Sequence, residues 1–203
     1  ALYNRKDLLG LRDLSADEIM TILNTAKEMK AKIDNPSLRD DSLSKSSIVT
    51  LFYENSTRTK MSFMLAGDYQ GAIVKDLGVA TSSVSKGESL VDTGVTLDQM
   101  GINIMIIRHQ MTGAAHLLAK NVKASVVNAG DGSNEHPTQA LLDLFTIMEK
   151  KGSFEGLKVV ILGDISHSRV ARSNAFGLTK LGAKVTLAGP STLVSNSMKS
   201  LGV

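Results

Sequence analysis

Cysteine is absent from the 203 residues, which excludes disulfides, thiolate metal sites and a cysteine nucleophile. No apolar run is long enough to span a bilayer and no signal peptide precedes the first element, so the expected compartment is the cytoplasm. Runs of like charge are missing too, and the net charge is only +3. That balance argues against nucleic acid or a membrane surface and favours an anionic small molecule. The motifs GxxxxGK[ST], GxGxxG and GxSxG do not occur, and the four histidines lack HExxH spacing, so the common nucleotide, hydrolase and zinc templates fail. Because the chain opens on Ala1 rather than methionine, it is expected to be part of a longer gene product. What remains is an ordinary globular composition, 42% hydrophobic and 21% charged, with room for one sizeable core and part of a second.

Ser15-Ala16-Asp17-Glu18 has the pattern of a capping box, and Ile19, Ile22, Leu23 and Ala26 follow at helical spacing, which predicts an amphipathic helix. Short apolar runs then alternate with helical patterns. Strands are expected near 47–53, 72–78, 102–107 and 124–128, with helices near 58–70, 88–100, 113–121 and 137–150, an alternation typical of parallel sheets. A second series starts with a strand at 157–162, continues through a helix near 168–181 and reaches a strand at 184–187. The polar Lys150-Lys151-Gly152-Ser153 marks the expected domain boundary. Two strands cannot cover both faces of a parallel sheet, so the chain is expected to stop inside a domain.

The stretch Asn55-Ser56-Thr57-Arg58-Thr59-Lys60 places hydroxyls and cations where a strand turns into a helix. A helix start offers unpaired N–H groups and positive partial charge, which attract an anion and repel Arg58 and Lys60 unless one is bound. The plainer alternative is a Ser/Thr cap followed by solvated cations. Ligands of open α/β sheets bind beyond the carboxyl ends of the strands, and further polar groups fall there. Arg108-His109 ends one strand, Asn128-Ala129-Gly130-Asp131-Gly132 ends the next, and His136-Pro137-Thr138-Gln139 opens a helix. Arg108 offers a cationic fork, while His136 and Gln139 present a donor and an amide on one turn. Each also has a plain reading, Arg108 as a solvated strand-end cation and His136 as an ordinary first-turn residue. Thr81 to Glu88, with Ser82 and Lys86, reads as a loop carrying one lysine. Arg169, after Gly163-Asp164, meets the same dipole penalty as Arg58. It marks either a second anionic site or an arginine paired with Asp164.

Together, Ser56-Thr57-Arg58-Thr59, Lys86-Gly87-Glu88, Arg108-His109, Asn128 to Gly132, His136-Pro137-Thr138-Gln139 and Gly163-Asp164 through Arg172-Ser173 resemble, in order and spacing, the catalytic chains of the aspartate carbamoyltransferases. The first and fifth of these are shared with ornithine carbamoyltransferases. The third-from-last, the lysine loop and the last resemble the aspartate enzymes. The resemblance implies two parallel-sheet α/β domains of carbamoyltransferase type, the second incomplete: residues 1–150 for carbamoyl phosphate and 151–203 for the start of the aspartate domain. It implies transfer of a carbamoyl group from carbamoyl phosphate to L-aspartate, an early step of pyrimidine synthesis, with no metal or organic cofactor. By motif, Ser56, Thr57, Arg58 and Thr59 would hold the phosphate, and Arg58 would neutralise it as it leaves. Thr59, Arg108 and His136 would surround the carbonyl oxygen, Gln139 would orient the carbamoyl NH₂, and Arg169 would bind an aspartate carboxylate. Ser82 and Lys86 would serve the active site of a neighbouring subunit in a homotrimer, with a regulatory chain or a dihydroorotase as further partners.

Two positions depart from the family pattern. Lys60 stands where arginine is usual and Met64 where glutamate is usual, so a fork and a carboxylate that could pair with it are both missing. The remaining aspartate contacts have no counterpart in these residues. A carbamoyltransferase for another amine, and an inactive fragment or assembly partner that binds carbamoyl phosphate, stay open as alternatives.

Overall fold

The computed structural model describes residues 3–78 and 89–203; Ser82 and Lys86 lie outside them. The chain packs as two compact units. One is formed by Arg5–Leu9 and Met29–Asp131, the other chiefly by Gly10–Glu28 and Gly132–Val203.

The first unit is built on β1 (Ser47–Phe52), β2 (Ile73–Leu77), β3 (Ile104–His109) and β4 (Ser125–Asp131), all parallel, in the order β2-β1-β3-β4. Alternation along the strands sorts side chains to two faces. Val49, Leu51, Met105, Ile107 and Val126 pack with Leu97 of α3 (Leu90–Gln99) and Leu118 of α4 (Ala114–Asn121). Ile48, Phe52 and Ile106 pack with Phe63 of α2 (Thr57–Asp68). A Cβ on Gly67 of α2 would lie 2.7 Å from a Val74 methyl and 2.9 Å from one of Ile48, so this helix rests on the sheet only because that position is glycine. With helices on both faces the sheet is doubly wound, and the winding reverses between β1 and β3.

Leu8 adds a short parallel bridge to Val127 beside β4, its N–H donating to Val126 O at 2.9 Å. Two apolar residues are too few to announce a strand, and the sequence pattern did not predict this one.

In the second unit, β5 (Lys158–Leu162) and β6 (Lys184–Ala188) form a two-stranded parallel sheet. It accompanies α5 (Pro137–Lys151), α6 (Arg169–Lys180) and the start of α1 (Ala16–Asp34). The capping box forms as expected: Glu18 N–H donates to Ser15 Oγ at 3.1 Å, and Ser15 N–H to the Glu18 carboxylate at 2.8 Å. Leu11, Ile19, Leu144, Ile165 and Leu178 are fully buried. Val160 and Leu162, by contrast, are 65% and 79% exposed, consistent with a sheet that needs further elements on that face. Among the described residues no helix is long and apolar enough to cross a membrane.

Candidate active site

The reversal between β1 and β3 puts the carboxyl ends of two neighbouring strands side by side. Phe52 is in register with Arg108, and Tyr53 N–H donates to Arg108 O at 2.8 Å. Ser56 to Thr59, which follow β1, and Arg108, which ends β3, therefore share one edge of the sheet, at the place where open α/β sheets bind ligands.

At the start of α2, Ser56 has the extended backbone of an N-cap, yet its side chain caps nothing. Lys60 N–H makes the first helical bond, to Ser56 O at 3.0 Å. The N–H groups of Thr57, Arg58 and Thr59 precede that bond, and so have no carbonyl within the helix. Nor do the side chains of Ser56, Thr57, Arg58 and Thr59 hydrogen-bond to any described residue. A helix whose only task was to begin would use the Ser56 hydroxyl, since an unused cap costs about 1 kcal/mol. Lys60 behaves differently from Arg58. Its ammonium lies 3.0 Å from Asp76 of β2 and 5.6 Å from the Phe52 ring centre, and Thr50 Oγ donates to the other Asp76 oxygen at 2.6 Å. Asp76 thus supplies the carboxylate that Met64 lacks, and offsets the dipole penalty of a few tenths of a kcal/mol. Among the described residues Arg58 has no such counter-charge.

Arg108 is not the solvated cation of the plainer reading. Its side chain is 13% exposed, and Nε and Nη2 both donate to Glu54 Oε1, at 3.2 and 2.9 Å, while Nη1 reaches Ala129 O at 3.3 Å. Glu54 lies far from Arg108 in sequence, and its partner is visible only once the two strand ends are adjacent. Beside it, burial pulls the His109 imidazole below its ordinary pKa while the Glu54 charge pushes it up. His109 Nδ1 accepts from Met111 N–H at 2.9 Å.

The motif Asn128 to Gly132 turns out to be internal wiring. Asn128 and Asp131 are buried; Asn128 Nδ2 donates to Leu9 O and to Asp131 Oδ1, and its Oδ1 accepts from Gly130 N–H. Asp131 Oδ2 accepts from Gly113 N–H at 2.8 Å. Gly113 is the N-cap of α4, at φ 85°, so the carboxylate sits at that helix's positive end. Asp131→Ala is expected to lower the unfolding free energy by about 2 kcal/mol, because the part-buried Gly113 N–H loses its acceptor and the buried Asn128 amide keeps only Leu9 O. Denaturant titration would measure it, and a loss within about 0.5 kcal/mol of zero would contradict the wiring.

His136, Gln139 and Arg169 belong to the second compact unit. His136 is the N-cap residue of α5 and is 5% exposed, with Pro137 at the first helical position. Its N–H donates to Ser173 Oγ at 2.9 Å, and that hydroxyl donates to Glu135 Oε1 at 2.9 Å. Glu135 also accepts from Leu11 N–H at 2.7 Å and Arg12 N–H at 3.4 Å. A Cβ on Gly10 would fall 1.9 Å from Glu135 Oε2, so the N-terminal segment closes on this carboxylate. Burial pushes the Glu135 carboxyl above its ordinary value, against the lowering effect of these hydrogen bonds. Gln139 Nε2 donates to Asp143 at 3.1 Å. Arg169 opens α6 and donates to Gly132 O at 3.3 Å. Asp164 pairs with His167 at 3.0 Å, which replaces the Arg169–Asp164 pair weighed from sequence. An i,i+3 imidazole is simply the nearer partner.

The family model described as aspartate/ornithine carbamoyltransferase, carbamoyl-P binding domain, matches residues 6–149. The chain belongs to the aspartate/ornithine carbamoyltransferase family. It is 63% identical over 202 residues to the aspartate carbamoyltransferase catalytic subunit of Acetivibrio thermocellus, covering all of this chain and 65% of the relative. The solved catalytic subunit of M. Jannaschii aspartate transcarbamoylase is 35% identical with a TM-score of 0.87, covering 98% of this chain and 65% of that one. The aspartate transcarbamoylase of Trypanosoma cruzi, solved in complex with carbamoyl phosphate and aspartate, is 30% identical with a TM-score of 0.87, covering 97% and 62%. The chain thus spans just under two thirds of the relatives it matches. Among the described residues, no group of three or more His, Asp or Glu side chains is placed to hold a metal ion.

Proposed function

We propose that this chain supplies the carbamoyl phosphate half, and the beginning of the aspartate half, of a cytoplasmic aspartate carbamoyltransferase. It would transfer the carbamoyl group of carbamoyl phosphate to the amine of L-aspartate, forming N-carbamoyl-L-aspartate and phosphate. In this reading residues 1–150 are the carbamoyl phosphate domain and 151–203 the start of the aspartate domain; the family match over residues 6–149 supports the first of these. The observation that carries the reading is the uncapped α2 start at the β1/β3 reversal, where hydroxyls, N–H groups and Arg58, which has no partner among the described residues, follow the strand end in register with Arg108. The carbamoyl phosphate and aspartate bound in the Trypanosoma cruzi aspartate transcarbamoylase support reading that anion as carbamoyl phosphate.

Ser56, Thr57, Arg58 and Thr59 hold the phosphate. The amine of aspartate attacks the carbonyl carbon, negative charge builds on the carbonyl oxygen, and Thr59, Arg108 and His136 donate to it. The carbon–oxygen bond to phosphate then breaks, and the departing phosphate takes the amine proton, so no separate general base is needed. Donors already oriented stabilise the transition state more than the substrate, because no reorganisation occurs at the moment of reaction. The Glu54 and Ala129 contacts orient Arg108 before any ligand arrives, and Ser173 does the same for the His136 backbone. Gln139 orients the carbamoyl NH₂ and Arg169 takes an aspartate carboxylate. Ser82 and Lys86 act on a neighbouring subunit of a homotrimer, to which a regulatory chain or a dihydroorotase is a further candidate partner.

The test is amine-dependent phosphate release from carbamoyl phosphate by the full-length protein. Aspartate should support it and ornithine should not; the reverse order overturns the reading. His136→Ala should lower turnover about 10²-fold with a smaller effect on carbamoyl phosphate binding, and an unchanged turnover would remove His136 from the carbonyl site.

A further inference from the structure

Gln139 is followed one helical turn later by Asp143, and its Nε2 donates to Asp143 Oδ1 at 3.1 Å. The second carboxylate oxygen accepts from Asn174 Nδ2 of α6 at 2.8 Å. An ionised carboxylate only accepts. Both amides must therefore turn their NH₂ groups toward Asp143, and both carbonyls are turned away. For Asn174 this has a visible cost, because its Oδ1 is buried without a hydrogen-bond partner among the described residues. A buried unpaired carbonyl is uncommon and needs a reason. Serving Asp143 is the reason the geometry offers. For Gln139 the same constraint leaves Oε1 as a fixed acceptor on the first turn of α5.

We propose that Asp143, itself held by Asn174, is a positioning residue that locks the Gln139 amide with its oxygen outward, and so sets the preference for a carbamoyl group over an acyl group without an N–H. The inference rests on the carbamoyl phosphate reading and deepens it. The discriminating ligand is acetyl phosphate, which has a methyl group where carbamoyl phosphate has NH₂. An acceptor held toward that position gains a hydrogen bond from the NH₂ and is left unpaired by the methyl group, which is how sites reject analogues lacking a donor. Asp143→Asn removes the lock with little change in size. Its one carbonyl oxygen cannot serve both Gln139 and Asn174, and its NH₂ group competes for the same two amides, so the Gln139 amide is no longer held in a single orientation.

The measurement is equilibrium binding of carbamoyl phosphate and of acetyl phosphate to the full-length protein. Asp143→Asn is expected to weaken carbamoyl phosphate about tenfold while acetyl phosphate changes less than about twofold. Gln139→Ala should show the same selective loss, and the double variant should add nothing to it. Asn174→Ala leaves Asp143 in place with one support fewer; it should move in the same direction by a smaller factor, and it provides the reading if Asp143→Asn folds poorly. Equal losses for both ligands, or unchanged carbamoyl phosphate binding in Asp143→Asn, would overturn the inference alone. A wild-type protein that binds neither phosphate overturns the carbamoyl phosphate reading as well.

Discussion

Arg58→Ala is expected to lower turnover about 10³-fold, roughly 4 kcal/mol of transition-state stabilisation, while carbamoyl phosphate affinity falls only about tenfold. The asymmetry follows from where charge develops. The bound substrate already carries a phosphate dianion, which several donors at the α2 start share, but the bond to the carbonyl carbon breaks only as further charge arrives on the leaving oxygen. Arg58 is the cation in the motif without a carboxylate partner in the first compact unit; Lys60 is bound to Asp76 at 3.0 Å. Lys60→Ala should therefore cost turnover less than about threefold, as expected for removal of a partly exposed ion pair. Steady-state kinetics on both variants of the full-length protein decide between the two cations, and equal losses would overturn the distinction. The same variant tests the shared active site. Mixing Arg58→Ala with Lys86→Ala protein should restore activity if each hybrid trimer contains a site built from one intact copy of each, and recovery of none would refute the sharing.

Most of the element order was legible because the chain alternates short β-branched runs with helical patterns. The expected helix near 58–70 is α2 at Thr57–Asp68, and the expected strand at 184–187 is β6 at Lys184–Ala188. What escaped was non-local. Lys60 and Asp76 are brought together by β1 and β2 pairing in register, Thr50 opposite Asp76, and nothing in either local sequence signals the other. Asn128 to Asp131 was singled out as a strand-end polar motif, yet its side chains serve Leu9, Gly113 and one another. A motif can mark a site by building its frame. Glu135 was passed over for the opposite reason: an acidic residue before a helix looks ordinary until Leu11, Arg12 and Ser173 are found around it.

Glu135→Ala should be among the most destabilising single changes in the chain, lowering the unfolding free energy by about 3 kcal/mol. The carboxylate is 3% exposed, and its loss strands the Leu11 N–H and the Ser173 hydroxyl in a place water does not reach. Ser173 holds the His136 N–H, so surviving protein should also turn over more slowly. Glu135→Gln separates charge from shape. One amide oxygen can still serve Leu11 and Ser173, whereas the new NH₂ faces Arg12 N–H, a donor against a donor, costing about 1 kcal/mol at neutral pH. The pH dependence then has a definite sign. Burial raises the Glu135 carboxyl above its ordinary value of 4.5, so between that value and the raised one the folded state binds more protons than the unfolded state. Stability from this group is greatest below 4.5 and falls as pH climbs through the folded pKa, because ∂ΔG/∂pH is negative wherever the folded state holds the extra proton. Asp98, whose carboxylate is held low chiefly by the Lys123 N–H, works in the opposite direction, so the raw stability curve mixes the two. Subtracting the Glu135→Gln curve cancels that background: the advantage of wild type over the variant should widen as pH is lowered from neutral toward 4.5. A difference that stays flat or narrows would mean that the buried carboxylate is not strained by its surroundings, and that its place in the fold is set by its hydrogen bonds alone.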